Sequence, residues 1–184
     1  MRGDPVADDP DQVGEPCLRI DGDYSGRDTC EAGAFCWDYF LAGGVCMALC
    51  TGSSASPLCP DMHACTIFVD DVLPLCLDGC HPLTQDCPPG QLCAPVLQNL
   101  DFMCVPAMPA EEGGAHAPCE AGNTCDPGFF CTYKTAAVEC DSPTSRCCEP
   151  FCDLDAANTC PGQGQVCAPW YPEGAAPEGF EQIG

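Results

Sequence analysis

The sequence predicts a small disulfide-rich fold: a tandem array of short β-hairpin modules with little regular secondary structure and no helix of note. Three observations carry that expectation. There are 21 cysteines in 184 residues, they recur in a repeating pattern, and apolar mass is scarce, with Leu, Ile, Val and Phe together supplying only 32 residues. That is too little branched and aromatic mass for a conventional core. With 28 acidic and 5 basic residues, giving a formal charge of −23, the composition alone would suit a disordered chain. Bridges that restrict the unfolded ensemble supply order where burial cannot offset chain entropy, each contributing roughly 2–4 kcal/mol.

The cysteine spacing defines the elements in order. Residues 1–16 form an acidic leader expected to be flexible. Cys17, Cys30, Cys36 and Cys46 then make a first quartet with intervals of 12, 5 and 9 residues (module 1, 17–46). Three residues later Cys50, Cys59, Cys65 and Cys76 repeat it with 8, 5 and 10 (module 2, 50–76), and Cys80, Cys87, Cys93 and Cys104 with 6, 5 and 10 (module 3, 80–104). The middle gap is constant while the first varies, the mark of a repeat whose frame is kept and whose loop is free. Residues 105–118, rich in Pro, Gly, Ala and Glu, read as a linker.

After it the pattern restarts. Cys119, Cys125, Cys131 and Cys148 define module 4 (119–148), and Cys152, Cys160 and Cys167 open module 5 (152–184). The second half copies the first, but the counterpart of Cys76 is missing. A chain that continues past Gly184 and supplies a cysteine within a few residues is the expectation; the alternative is a free thiol. Cys140 and Cys147 have no counterpart in the first half and are expected to pair locally, leaving Cys148 to its module. Twenty cysteines are expected in bridges: the three complete quartets, Cys119, Cys125, Cys131, Cys140, Cys147, Cys148, Cys152 and Cys160, with Cys167 outside that set.

Within a module the third and fourth cysteines flank a hairpin-like run. In module 1 it is Cys36-Trp37-Asp38-Tyr39-Phe40, a turn at Ala42-Gly43-Gly44, then Val45-Cys46-Met47; aromatic and β-branched residues around glycine suit strands and a turn. In module 2, Pro74 demotes the return strand to an edge; in module 3, Gln98-Asn99 could turn. The third and fourth cysteines then face each other and project to one side, ready to staple the preceding segment. First-to-third and second-to-fourth pairing is favoured, with a direct third-to-fourth bridge as the rival.

So many thiols point to an oxidising compartment: periplasm, cell surface or the extracellular space. No apolar signal-peptide core lies near Met1, so either a signal has been removed or the chain is a fragment. No apolar run is long enough for a transmembrane helix. Dense negative charge disfavours nucleic acid and anionic bilayers. Motifs such as Cys87-Pro88-Pro89-Gly90-Gln91-Leu92-Cys93 and Cys160-Pro161-Gly162-Gln163-Gly164-Gln165-Val166-Cys167 resemble the modules of EGF-like and EB-type extracellular repeats. Cys147-Cys148-Glu149-Pro150-Phe151-Cys152-Asp153-Leu154, followed by Trp170-Tyr171-Pro172-Glu173-Gly174, is similar to cysteine-rich secreted proteins of myxobacterial type, a likeness covering most of residues 14–184. It implies an exported or lipid-anchored surface protein and carries no activity with it.

Candidate chemistry is sparse. Asp21, Asp23 and Ser25 place oxygens at alternate positions, with Asp28 following, as in a short loop that wraps Ca²⁺, although Ala32 stands where a bidentate Glu belongs. A solvated acidic turn is the plainer reading. No C-x-x-C occurs, and His63, His81 and His116 lack partner spacing, so zinc is disfavoured and no cofactor is expected beyond that Ca²⁺ candidate. No nucleophile–base arrangement is legible, so no enzyme is expected. Arg2-Gly3-Asp4 matches an integrin tripeptide that recurs by chance. Trp37, Tyr39, Phe40, Phe129, Phe130 and Trp170 are expected to cover bridges or form a binding face. The function expected is a non-catalytic extracellular binding or structural array whose partner is an extracellular protein or glycan. A secreted protease inhibitor, with Lys134 and Arg146 as bait, and a Ca²⁺-dependent adhesion module are the alternatives.

Overall fold

The computed structural model describes residues 10–21, 26–37, 44–53, 56–59, 64–68, 73–96, 101–107, 113–121, 124–137, 139–140, 145–158 and 160–184. Asp23, Ser25, Tyr39, Phe40, His63, the Arg2-Gly3-Asp4 tripeptide and the turns expected at 42–43 and 98–99 lie outside them. Among the described residues every named element is a β-strand, as the cysteine-rich composition anticipated. The chain forms two compact units, residues 1–78 and 79–184.

The first unit holds β1 (Pro16–Cys17), β2 (Arg19–Ile20), β3 (Arg27–Asp28), β4 (Ala34–Trp37), β5 (Gly44–Ala48), β6 (Thr51–Ser53), β7 (Ser56–Leu58), β8 (Ala64–Phe68) and β9 (Leu73–Leu77). Strands β1, β5 and β4 make a three-stranded antiparallel sheet with β5 central; β2–β3, β6–β7 and β8–β9 are two-stranded ribbons. The end of the acidic leader is engaged here. Asp11 donates its amide to the Thr29 carbonyl at 2.9 Å, its carboxylate accepts the Thr29 hydroxyl, and Pro16 lies opposite Val45. Pro74 sits in β9 without breaking a ladder, because a two-stranded ribbon has only edges.

The second unit holds β10 (Gln91–Val96), β11 (Asp101–Pro106), β12 (Phe129–Tyr133) and β13 (Arg146–Pro150), paired as hairpins β10–β11 and β12–β13. The stretch read as a linker gives its first two residues to β11. Residues 113–118 are held against module 4: the Asp126 amide donates to Gly113 at 2.8 Å, His116 to Cys148 at 2.8 Å, and Cys148 to Ala117 at 2.9 Å. Gly113 has no room for a side chain, since a Cβ there would fall 2.7 Å from the Asp126 nitrogen.

All four complete modules share one device. The third and fourth cysteines are direct cross-strand partners: Cys36 with Cys46, Cys65 with Cys76, Cys93 with Cys104 and Cys131 with Cys148. Opposed residues in an antiparallel pair point to the same face. Each reaches back to the preceding segment, giving Cys17–Cys36 with Cys30–Cys46, Cys50–Cys65 with Cys59–Cys76, Cys80–Cys93 with Cys87–Cys104, and Cys119–Cys131 with Cys125–Cys148. This is the favoured first-to-third, second-to-fourth pattern. The rival third-to-fourth bridge would tie the hairpin to itself and leave the segment before it unheld.

Bridges form much of the interior. Cys36, Cys46, Cys93, Cys147 and Cys148 are fully buried. Cys17, Cys36 and Cys46 make one cluster, and Cys119, Cys125 and Cys148 another, with Phe129 packed on it. The second unit contains an aromatic core: Phe102, Phe151 and Tyr171 are buried with Ile183, and Phe130, Trp170 and Phe180 pack around them. The segment after Cys167 has no strand yet folds back on the unit. Its chain is held by the Trp170 amide on the Ile183 carbonyl at 2.9 Å and by paired bonds between Cys152 and Gly184.

Candidate functional site

In four groups of three cysteines the sulfurs lie within 4.8 Å of one another, a spacing that could be mistaken for a metal centre. Every one of those cysteines is in a disulfide, and a bridged sulfur has no thiolate to offer a metal. Compactness here reflects two bridges packed side by side beneath a hairpin.

The Ca²⁺ candidate is partly described. Asp21, in a left-handed conformation at φ 64°, forms an ion pair with Arg27 at 2.8 Å. Asp28 turns toward the backbone, its carboxylate accepting the amides of Cys30 at 3.1 Å and Cys36 at 2.8 Å. It thereby fastens the second and third cysteines to the ribbon β2–β3, a role that spacing alone did not reveal. Asp28→Ala is expected to lower stability by about 1.5–3 kcal/mol, because two amides lose a charged acceptor; equilibrium denaturation of the oxidised protein measures it. Ca²⁺ bound through Asp21 and Asp28 would compete for the oxygens that already accept from Arg27 and from the Cys30 and Cys36 amides. Differential scanning calorimetry is therefore expected to give the same Tm in excess Ca²⁺ as in EDTA.

A second locus is a cleft of about 490 Å³ whose walls include Phe130, Glu149, Cys160, Gln165, Trp170 and Gly184. Glu149 follows Cys148 in β13, a strand buried on both faces at its centre. The residue is 6% exposed, yet its carboxylate is partnered: His116 Nδ1 lies 3.1 Å away and Gln165 Nε2 donates at 2.8 Å. Gln165 Oε1 in turn accepts the Gly162 amide at 2.7 Å. Burying a carboxylate without such partners would cost several kcal/mol. The trio fixes the loop 160–167 on module 4.

The free thiol in this cleft corrects the expected bridge set. Cys160, expected to be bridged, is free, and Cys167, expected to stand outside, is bonded to Cys152. The reason is position within the quartet: Cys167 is the third cysteine of its module and takes the first, as in the other four. Cys140–Cys147 closes locally, as spacing suggested. The indole Nε1 of Trp170 is buried and has no hydrogen-bond partner among the described residues.

The remaining flagged residues have structural attachments. His81 lies against Phe180 at 5.1 Å between ring centres, with Nε2 3.3 Å from the Gly179 carbonyl. Arg146 stacks over the Tyr133 ring at 4.4 Å and donates to the Glu120 carbonyl at 3.1 Å. Lys134 is exposed in the turn following β12. Phe129 covers a bridge pair as expected, while Phe130 and Trp170 belong to the aromatic core.

Hairpins stapled by interlocked bridges, with order supplied by sulfur more than by side-chain burial, define the class: a disulfide-rich hairpin-module protein. No protein-family model, curated protein or solved structure matches the chain.

Proposed function

We propose that the protein acts outside the cell or on its surface as a non-catalytic binding or structural array. Its partner is an extracellular protein or glycan. The observation that carries this reading is one staple built four times with a first gap of 12, 8, 6 and 5 residues between its first two cysteines. A constant frame with a loop of changing length suits presentation of different surfaces from the same support. Loops held by bridges lose little entropy on binding, so the contacts they make are retained as affinity. Ten bridges require an oxidising environment to persist, which favours export. No helix among the described residues is long and apolar enough to cross a membrane. The charge of −23 favours a neutral or cationic partner over nucleic acid.

The test is binding of the oxidised chain to an array of extracellular proteins and glycans, alongside a protease panel. Saturable binding that disappears after reduction and alkylation is the expected result. Equal binding by the reduced, alkylated chain, or none by either, would overturn the reading, and stoichiometric inhibition of a protease would replace it with the inhibitor.

A further inference from the structure

A separate cleft of about 770 Å³ lies in the second unit, lined by Leu154, Tyr171, Pro172 and Ala176 together with Glu173 and Glu181. Tyr171 is 8% exposed and belongs to the aromatic core, so the base of the cleft is fixed. Leu154 and Ala176 are half-buried and Pro172 is exposed, which leaves apolar surface open to water in a concave place. Mostly apolar walls with a few polar groups are the usual make-up of a binding site. The lining segments are held by their own backbone bonds. The Leu154 amide donates to the Gln182 carbonyl at 2.8 Å and the Ala175 amide to the Pro172 carbonyl at 2.9 Å. The Gly179 amide donates to Glu181 Oε2 at 2.8 Å, which positions that carboxylate and leaves Oε1 for a ligand. A partner therefore meets a preformed surface, and little chain entropy is lost when it binds.

The charge of the cleft selects what fits it. Residues 147–184 carry six acidic side chains and no Lys or Arg. Among the described residues no basic side chain lines the cleft, so the countercharge for Glu173 and Glu181 must come from a partner. A single metal ion does not suit them. Among the described residues the groups of three whose ligand atoms lie within 4.8 Å of one another are all cysteine sets. Carboxylates spread along apolar walls suit an organic cation instead, one with a long apolar stem and several donors at its head.

We propose that this cleft is a docking site for an arginine side chain carried, with apolar neighbours, on an extended segment of an extracellular protein. The inference rests on the reading of the chain as an extracellular binding array and names the chemistry of one partner. The arginine stem lies along Leu154 and Pro172, and its guanidinium N–H groups donate to the carboxylates of Glu173 and Glu181. Five donors in a planar fork serve two acids at once, where the compact ammonium of lysine serves them less well. The net charge of −23 draws basic segments in from a distance, while the cleft decides which of them stay.

The test measures binding of a fluorescent, end-blocked peptide Gly-Leu-Arg-Leu-Gly to the full oxidised chain by anisotropy at physiological ionic strength. A counterpart with citrulline in place of arginine keeps the shape and removes the charge. Saturable binding of the arginine peptide is expected, at least about tenfold weaker for the citrulline peptide and for the Glu173→Gln/Glu181→Gln variant. Glutamine keeps an acceptor for the Gly179 amide. Glu173→Gln alone, at an exposed position, should already weaken binding about threefold. Glu178→Gln, which removes an exposed charge of the same run outside the lining, should change it less than about twofold. No saturation up to about 1 mM peptide, equal binding of the citrulline peptide, no change in the double variant, or an equal loss in Glu178→Gln would each overturn the proposal. If the peptide fails while the oxidised chain still binds proteins or glycans of the array, the cleft assignment alone falls. If neither binds, the array reading falls with it.

Discussion

Phe102→Ala is expected to destabilise the second unit by about 3–5 kcal/mol, the range for removing a buried aromatic ring. Phe102 is 3% exposed and is the hub of its cluster. Its ring lies 5.4 Å from Phe151, 5.3 Å from Trp170, 6.1 Å from Phe180 and 6.4 Å from Tyr171. Two of these contacts are edge-on, a geometry that adds attraction beyond area burial. The loss should be disproportionate for a chain so poor in apolar mass, because few neighbours can collapse into the space. Denaturant titration of the oxidised protein, followed by tryptophan fluorescence through Trp170, reports it. Phe102→Leu, which keeps part of the volume, should recover more than half of the loss. A change below about 1 kcal/mol for the alanine variant would mean that the bridges alone hold this unit.

Removing the Cys125–Cys148 bridge by paired serine substitution is expected to cost about 3–4 kcal/mol, against about 2 kcal/mol for Cys140–Cys147, on the loop-entropy relation. The first spans 23 residues and the second 7. Burial should widen the gap. Cys125 and Cys148 are 3% and 0% exposed within the Cys119 cluster, so the first pair of serines leaves hydroxyls in a site built for sulfur. Thermal melting of the two double variants measures the order, and equal Tm values would remove the distinction between module bridges and the local one.

The hairpins were legible because their signal is local. A five-residue middle gap, with a third gap of 9 or 10 residues in the first three modules, sets the cysteine register, and the alternation of strand side chains makes cross-strand partners of Cys93 and Cys104 almost obligatory. Facing cysteines suit both leading connectivities, so the hairpin was legible while the choice of first-to-third and second-to-fourth bridges was a preference that the structure bears out. The aromatic core was not legible. Phe102, Phe151, Tyr171 and Phe180 come from three separate stretches, and nothing in their spacing says that they meet. The segment after Cys167, rich in Pro, Gly and Glu, reads as loop, and it is loop, but Ile183 at 1% exposure fastens it down. Asp28 and Glu149 were equally hidden, since an acid in a highly acidic chain gives no hint that backbone amides or a histidine will claim it. Cys160 was visible only as an imbalance in the count; which cysteine would remain free needed the module register.

The two bridges of each staple interlock, and this governs how the protein carries load. In module 1 a covalent path runs from Cys17 across sulfur to Cys36, back along six residues to Cys30, and across sulfur again to Cys46. Tension entering at one end of the module therefore passes through bonds that hydrogen-bond rupture cannot lengthen, and most of its 30 residues stay out of the stretched contour. The same shortcut recurs in the second, third and fourth modules. Such a tether resists elongation even when its sheets have melted.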